Sequence, residues 1–282
     1  MRVVVTGAAG LVGRAVVKHL SVGQAISPAA QAGLPAPHRV FALTHRDLDI
    51  ADPAAVRKKF AELRPDLVIN CAVIGVDECE DDPELARAVN VDGPMILAEC
   101  APSIVHFSSN YVFDGKEERF YSIADEARPI NEYGRTKLAG ERAVANACPQ
   151  SFIIRSSWIF GPGKEAFVST VHQKLRAGKR VRAVNDVWAS ATYVEDLVLR
   201  LVEIVEGRQY GLHHVVNAGV CSNDSFAREA ARIVGAGEGL VEAVSTHETH
   251  RATRPRYTPL LASQPLRDWR DALSEYINHR HD

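Results

Sequence analysis

The sequence predicts an α/β protein: a doubly wound parallel sheet carrying a smaller, mostly C-terminal lobe. Three observations predict it. Short, continuously apolar runs alternate with helical stretches over the first 155 residues, as in a parallel sheet covered on both faces. A glycine-rich turn follows the first of those runs and opens the first helix. Beyond Arg155 the alternation loosens, which marks a change of organisation.

Arg2–Val5 reads as the first strand, and Leu11, Val12, Ala15, Val16 and Leu20 give the following stretch helical spacing. Ser21–His38, rich in Ala, Gly, Pro and Gln and without a period, reads as a long inserted loop. Val40–Leu43 is the second strand. Pro53 then starts a helix through Leu63 with proline in its first turn. Leu67–Asn70 is the third strand. Pro83–Ala101 is helical, with Gly93-Pro94 expected to kink it or mark a turn. Ile104–Phe107 and Ser151–Arg155 are further strands. Phe167–Ala177, Val194–Glu206, Asp224–Val234 and Asp268–Asn278 read as helices, and His213–Asn217 as a strand that returns to the sheet. Thr253–Pro265, with three prolines, reads as irregular.

The 282 residues are 46% hydrophobic, 24% charged and 7% aromatic, which excludes a disordered, a collagen-like or a disulfide-stapled chain. A net charge of −2 gives no electrostatic footprint for nucleic acid or an anionic membrane. Cys71, Cys79, Cys100, Cys148 and Cys221 are widely spaced and form no CxxC, so reduced thiols are expected. No signal-peptide pattern and no apolar run of membrane-spanning length occurs, and a cytoplasmic location is expected. His247 and His250, with Glu248 between them, fall short of a zinc ligand set, so no metal is expected.

Thr6-Gly7-Ala8-Ala9-Gly10-Leu11-Val12-Gly13-Arg14 is a strand running through TGxxGxxG into a helix. Glycines permit the tight turn and the close approach of backbone to a pyrophosphate, and the N–H groups of the new helix face that anion. The reading is a dinucleotide fold of the Rossmann type. An NAD-selective site places an acid after the second strand; here Thr44-His45-Arg46 follows it. Arg46, with Arg14 as a second candidate, favours a 2′-phosphate, hence NADPH with NADH as the alternative. The predicted division is 1–157 with 188–220 as the dinucleotide-binding domain, and 158–187 with 221–282 as the substrate lobe, the ligand lying between them.

Tyr133-Gly134-Arg135-Thr136-Lys137 is a YxxxK motif, and i,i+4 spacing puts both side chains on one helix face. A phenol of pKa near ~10 needs help to exchange protons at neutral pH, and an adjacent ammonium supplies it. Ser108-Ser109-Asn110 closes the fourth strand, at the carboxyl edge where doubly wound sheets hold ligands.

The Gly-rich turn, Ser109, Tyr133 and Lys137 together resemble the short-chain dehydrogenase/reductase superfamily. The resemblance narrows at His106-Phe107-Ser108-Ser109-Asn110-Tyr111-Val112-Phe113-Asp114-Gly115, which is similar to the STDYVFDG segment of dTDP-4-dehydrorhamnose reductases. Pro129 to Glu141 resembles that family's PxNxYGxSKLxGE, Arg155–Gly161 its RTSWVYG and Ala189–Tyr193 its GSPTY. Arg64-Pro65-Asp66, Ala88-Val89-Asn90, Arg254-Pro255 and Asp268-Trp269-Arg270 match as well, so the likeness spans nearly the whole chain.

The resemblance implies an NADPH-dependent reductase of a 4-keto-6-deoxy nucleotide sugar. Ser109, Tyr133 and Lys137 would be catalytic. Tyr133 would donate a proton, Lys137 would bind the nicotinamide ribose, and Ser109 would hydrogen-bond the C4 oxygen. Thr6, Gly7, Gly10, Leu11, Val12, Gly13, Arg14, Arg46, Asp49, Ile50, Cys71, Ala72, Tyr133 and Lys137 would contact cofactor, Asp49-Ile50 being the adenine-contacting pair. Val76, Ser109, Asn110 and Trp158 would contact substrate. The implied partners are the sugar nucleotide, with no nucleic acid and no membrane, and a homodimer is allowed.

Three departures fall in the substrate region. The family's aspartate after the hydroxyl residue is Asn110. The loop Asn70–Glu78 is one residue shorter than NAAxxTxVDxAE and lacks its threonine. Glu78 stands where many members carry lysine. Two other readings use the same residues. One is a non-catalytic NADP-binding subunit resembling the regulatory beta subunit of methionine adenosyltransferase. The other is an epimerase or dehydratase that keeps and recycles NAD.

Overall fold

The computed structural model describes residues 1–22, 39–163, 165–248 and 252–279. Strands β1 (Arg2–Thr6), β2 (Arg39–Leu43), β3 (Leu67–Asn70), β4 (Ile104–Ser109) and β5 (Ser151–Ser156) join a six-stranded sheet. The chain returns to that sheet at Gly211–His214, and the strand order is Gly211–His214, β5, β4, β3, β1, β2. Pairings β1–β2, β1–β3 and β3–β4 are parallel. The chain runs from β1 out to β2 and then back across to β3. The order therefore reverses between β1 and β3, and the carboxyl ends of those two strands form the topological switch point.

By compactness the chain divides into two units: residues 1–108, 136–154 and 201–212, and residues 109–135, 155–200 and 213–282. The first is built on the sheet. Its core joins Val4, Val68, Ile104 and Ile153 of the strands to α2 (Pro53–Leu63) through Val56 and Phe60. Each such burial is worth about 1.5–3 kcal/mol. Helix α1 (Leu11–Val22) follows β1 directly. Asp52 caps α2 by accepting from Ala54 N and Ala55 N, Pro53 begins it, and Arg64 ends it at φ 46°. The inserted loop read at Ser21–His38 lies outside the described residues from position 23 onward, its first two residues ending α1.

The stretch Pro83–Ala101 keeps a helical path at Gly93-Pro94 rather than breaking there. After the short α3 (Val76–Asp81), α4 (Pro83–Arg87) passes through a π turn at Ala88–Asp92 into α5 (Gly93–Glu99). Proline has no N–H to donate to the carbonyl of Asn90 four residues back, and the widened turn absorbs the mismatch. The Asn90 carbonyl is directed instead at helix α6 (Glu132–Ala147), where a Cβ on Gly140 would lie 2.3 Å from it.

In the second unit α7 (Phe167–Arg176) packs on α9 (Asn223–Val234), α8 (Val194–Glu206) coming between them in the chain. Helix α9 also covers two parallel strands, Val181–Val184 and Val241–Val244, which pair residue for residue. Neither strand was expected, and Tyr257–Thr258 forms a further short strand inside the stretch read as irregular. The predicted strand His213–Asn217 is broken: the sheet strand ends at His214, and Asn217–Ala218 pairs with Leu266–Asp268. Phe160, Tyr193, Phe226 and Trp269 make an aromatic core with α10 (Trp269–Asn278), whose Tyr276 donates to the carbonyls of Ser169 and Gly161. Among the described residues, no helix is long and apolar enough to cross a membrane.

Candidate active site

The glycine turn lies at the switch point. Gly7 has φ +64°, and a Cβ there would sit 2.5 Å from both Ala72 N and the Cys71 carbonyl carbon. A Cβ on Gly13 would lie 2.3 Å from Gly7 O. The turn closes through Gly10 N to Gly7 O at 2.9 Å, and Ala8 N donates to Leu43 O of β2 at 3.1 Å. Only glycine fits this packing of backbone on backbone. Helix α1 then starts at Leu11 with no acidic residue in its first turn. The first N–H groups of a helix have no partner within it, so those of Leu11, Val12 and Gly13 face the turn. This cradle suits the pyrophosphate of a dinucleotide.

A buried polar chain fixes the switch point from beneath. Thr6 Oγ1 donates to Asn70 Oδ1 at 2.7 Å, and Ala72 N donates to the same oxygen at 3.2 Å. Asn70 Nδ2 lies 3.2 Å from His106 Nδ1, so the amide donates and that ring nitrogen accepts. Burial, reinforced by the Lys137 ammonium, holds His106 well below the usual histidine range, so it is neutral.

After β2, Asp47 turns back and accepts from Thr44 N at 2.9 Å and Thr44 Oγ1 at 2.7 Å. Arg46 beside it is exposed, as is Arg14 on α1. The Asp49 carboxylate accepts from Ala51 N at 2.9 Å. Ile50 is committed to the core, where its carbonyl would meet a Cβ on Gly93 at 2.8 Å.

The loop after β3 is tied down by Asn90, a fully buried residue of the π turn. Its Oδ1 accepts from Ile74 N at 3.0 Å and its Nδ2 donates to Thr136 Oγ1 at 3.2 Å. Val76, at the start of α3, is half-buried. We expect Asn90→Ala to cost about 1–3 kcal/mol, because it strands buried partners on both sides. A thermal melt checks this, and an unchanged Tm would contradict it.

Helix α6 carries the YxxxK pair one turn apart. Asn131 begins it: Asn131 Oδ1 accepts from Gly134 N at 2.8 Å, and Asn131 Nδ2 donates to Thr253 O at 2.8 Å. A Cβ on Gly134 would lie 2.1 Å from Tyr111 O, so glycine lets the first turn pack on that backbone. The Tyr133 ring meets the Tyr111 ring edge-on, centroids 5.8 Å apart. Ser109 Oγ accepts from Tyr111 N at 3.2 Å, which links Ser109 to the same tyrosine. Lys137 is buried, and burial pushes its ammonium down to about 8 against the opposing pull of Glu141, Cys79 and Cys71.

Ser109 Oγ also donates to Asn110 Oδ1 at 3.1 Å, and Asn110 Nδ2 donates to Thr258 Oγ1 at 2.7 Å. Thr258 gave no signal of a role in the sequence; Ser108 and Glu141 stood inside matched motifs with no role assigned, and Ser108 Oγ donates to Glu141 Oε1 at 2.5 Å. Trp158 is a non-glycine residue at φ +37°, and its ring packs on Val184, Val187 and Val244. Such a backbone costs of order 1–3 kcal/mol. His250 of the histidine pair lies outside the described residues. Among those described, no group of three His, Cys, Asp or Glu could hold a metal.

The parallel sheet with its flanking helices is a fold of the extended short-chain dehydrogenase/reductase type. The profile of the family described as RmlD substrate binding domain matches residues 1–281, and the chain belongs to that family. It is 39% identical to a dTDP-4-dehydrorhamnose reductase of Mycolicibacterium smegmatis over 98% of this chain and 85% of that one. A solved dTDP-4-dehydrorhamnose reductase from Clostridium acetobutylicum aligns with a TM-score of 0.87 at 33% identity, over 99% of each chain. Another, from Bacillus anthracis in complex with NADP, aligns with a TM-score of 0.86 at 29% identity, over 98% of each.

Proposed function

We propose that this chain is an NADPH-dependent reductase of a nucleotide sugar, acting on the C4 ketone of a dTDP-4-keto-6-deoxy sugar such as dTDP-4-dehydrorhamnose. The observation that carries the reading is the YxxxK pair one turn apart on α6, with its lysine buried, in a chain that matches reductases over nearly its full length. Bound NADPH supplies the hydride. Tyr133 gives its phenolic proton to the carbonyl oxygen as negative charge develops there. The Lys137 ammonium favours the phenolate left behind and holds the nicotinamide ribose. Ser109 can turn its hydroxyl proton from Asn110 to the same oxygen by rotating about one bond.

The family's aspartate would hold that hydroxyl as a fixed acceptor. Asn110 holds it with a neutral amide that Thr258 orients, so no carboxylate titrates at this point. Val76, Asn110 and Trp158 belong to the sugar surface in this reading. This reading places the chain in the cytoplasm and allows a homodimer.

The test is NADPH oxidation followed by absorbance against a panel of dTDP-4-keto-6-deoxy sugars. One NADPH consumed per sugar reduced supports the reductase. Interconversion of sugars without net NADPH consumption points to an epimerase or dehydratase. Tight NADPH binding without turnover on any sugar points to a regulatory subunit.

Arg46 is exposed after β2, and the neighbouring acid, Asp47, is engaged by Thr44. Arg46→Ala should therefore raise the NADPH Kd by roughly 10-fold or more and leave the NADH Kd unchanged, since a hydrogen bond to a charged group is worth ~1.5–3 kcal/mol. Equal weakening of both cofactors would remove Arg46 from the 2′-phosphate.

A further inference from the structure

A buried ammonium is costly unless a counter-charge and hydrogen bonds compensate it. Lys137 is 2% exposed, and among the described residues Cys71, Cys79, His106 and Glu141 are near enough to act on its charge or to feel it. Cys71, just after β3, is a neutral thiol, because burial pushes it up to about 12. His106, on β4, is a neutral imidazole. Cys79, on α3, donates its thiol to Ile74 O at 3.7 Å and accepts from Asn90 Nδ2 at 3.4 Å. Glu141 is the carboxylate of the set. It lies four residues beyond Lys137 on α6, where i and i+4 side chains share a face, and it is 7% exposed. Its Oε1 accepts the Ser108 hydroxyl at 2.5 Å, which ties the carboxylate to the end of β4.

We propose that Glu141 is a positioning residue for the reduction, keeping the Lys137 ammonium charged from one turn further along α6, with Ser108 anchoring its carboxylate. This rests on the reductase reading, in which Lys137 must be charged to favour the phenolate of Tyr133. The site thereby has its counter-ion on the same helix as its acid and its lysine. Neutralising Glu141 removes the largest influence opposing burial, so Lys137 must lose its proton at lower pH.

The experiment compares full-length wild type with Glu141→Gln and Glu141→Asp. The Lys137 Nζ signal is followed by 15N NMR as pH is raised, and is assigned by its loss in Lys137→Met. An opposite charge within reach typically moves a pKa by about 1–3 units, so the Gln variant should titrate roughly one unit or more lower. The alkaline limb of its kcat profile should move down with it. Glu141→Asp keeps the charge and should recover most of the wild-type midpoint. A Gln variant that melts lower but titrates as wild type would make Glu141 merely structural and overturn the proposal. Asp behaving like Gln would overturn the charge argument as well. The NMR readout needs no turnover, so absence of activity on every sugar would count against the reductase reading while leaving the titration decisive for Glu141.

Discussion

Replacing Tyr133 by phenylalanine should lower kcat by about 10²–10⁴-fold, the usual worth of a positioned general acid. That corresponds to about 3–5 kcal/mol of transition-state stabilisation. The substitution removes one oxygen. The ring keeps its edge-on contact with Tyr111 at 5.8 Å, and Asn131 Oδ1 still accepts from Gly134 N at the helix start. Folding and NADPH binding should therefore survive, with Tm and cofactor Kd close to wild type. Stopped-flow NADPH oxidation with a dTDP-4-keto-6-deoxy sugar, beside a cofactor fluorescence titration, separates the two quantities. A variant within a few-fold of wild-type kcat would mean that another group protonates the oxygen. Ser109 would then be the first to examine, since its hydroxyl can reach the same atom by rotation.

The glycine turn and the elements around it were legible because they depend on short-range pattern. A strand, three glycines at fixed spacing and a helix occupy consecutive positions, and the periodicity of α1 and the apolar runs of β1 to β4 need no distant partner. The YxxxK pair was legible for the same reason. What the sequence hid is built from pairs far apart in the chain. Val181–Val184 and Val241–Val244 are each too short to show a period and find each other across sixty residues. Asn110 and Thr258 are 148 positions apart, and nothing near Thr258 marks it. Gly93-Pro94 was expected to kink the helix or mark a turn. The missing N–H was absorbed instead by a π turn, and that turn buries Asn90 where it can hold the loop after β3. Glu141 stood inside a matched motif, yet its meaning depends on Ser108, on another element, and on how deeply Lys137 is buried.

The glycine turn gives the second large effect, and an internal control comes with it. Gly7→Ala should weaken NADPH binding by about 100-fold or more and lower Tm, whereas Gly10→Ala should do far less. At Gly7 an alanine methyl would stand 2.5 Å from Ala72 N, against backbone that cannot swing aside. The left-handed φ of +64° adds roughly 1–2 kcal/mol for any residue with a Cβ. Relief requires the turn after β1 to part from the turn after β3, and that strains the Thr6–Asn70 bond across the switch point. At Gly10 the nearest atom to an added methyl is Gly7 O at 3.2 Å, a contact that a shift of a few tenths of an ångström relieves. About 3 kcal/mol of lost geometry corresponds to the 100-fold in affinity, at 1.4 kcal/mol per decade. Isothermal titration of both variants with NADPH decides between two accounts of the turn. Unequal losses mean that the approach of Gly7 to Cys71 and Ala72 sets the shape of the cradle. Equal losses mean that chain flexibility in the turn, rather than this one contact, governs cofactor binding.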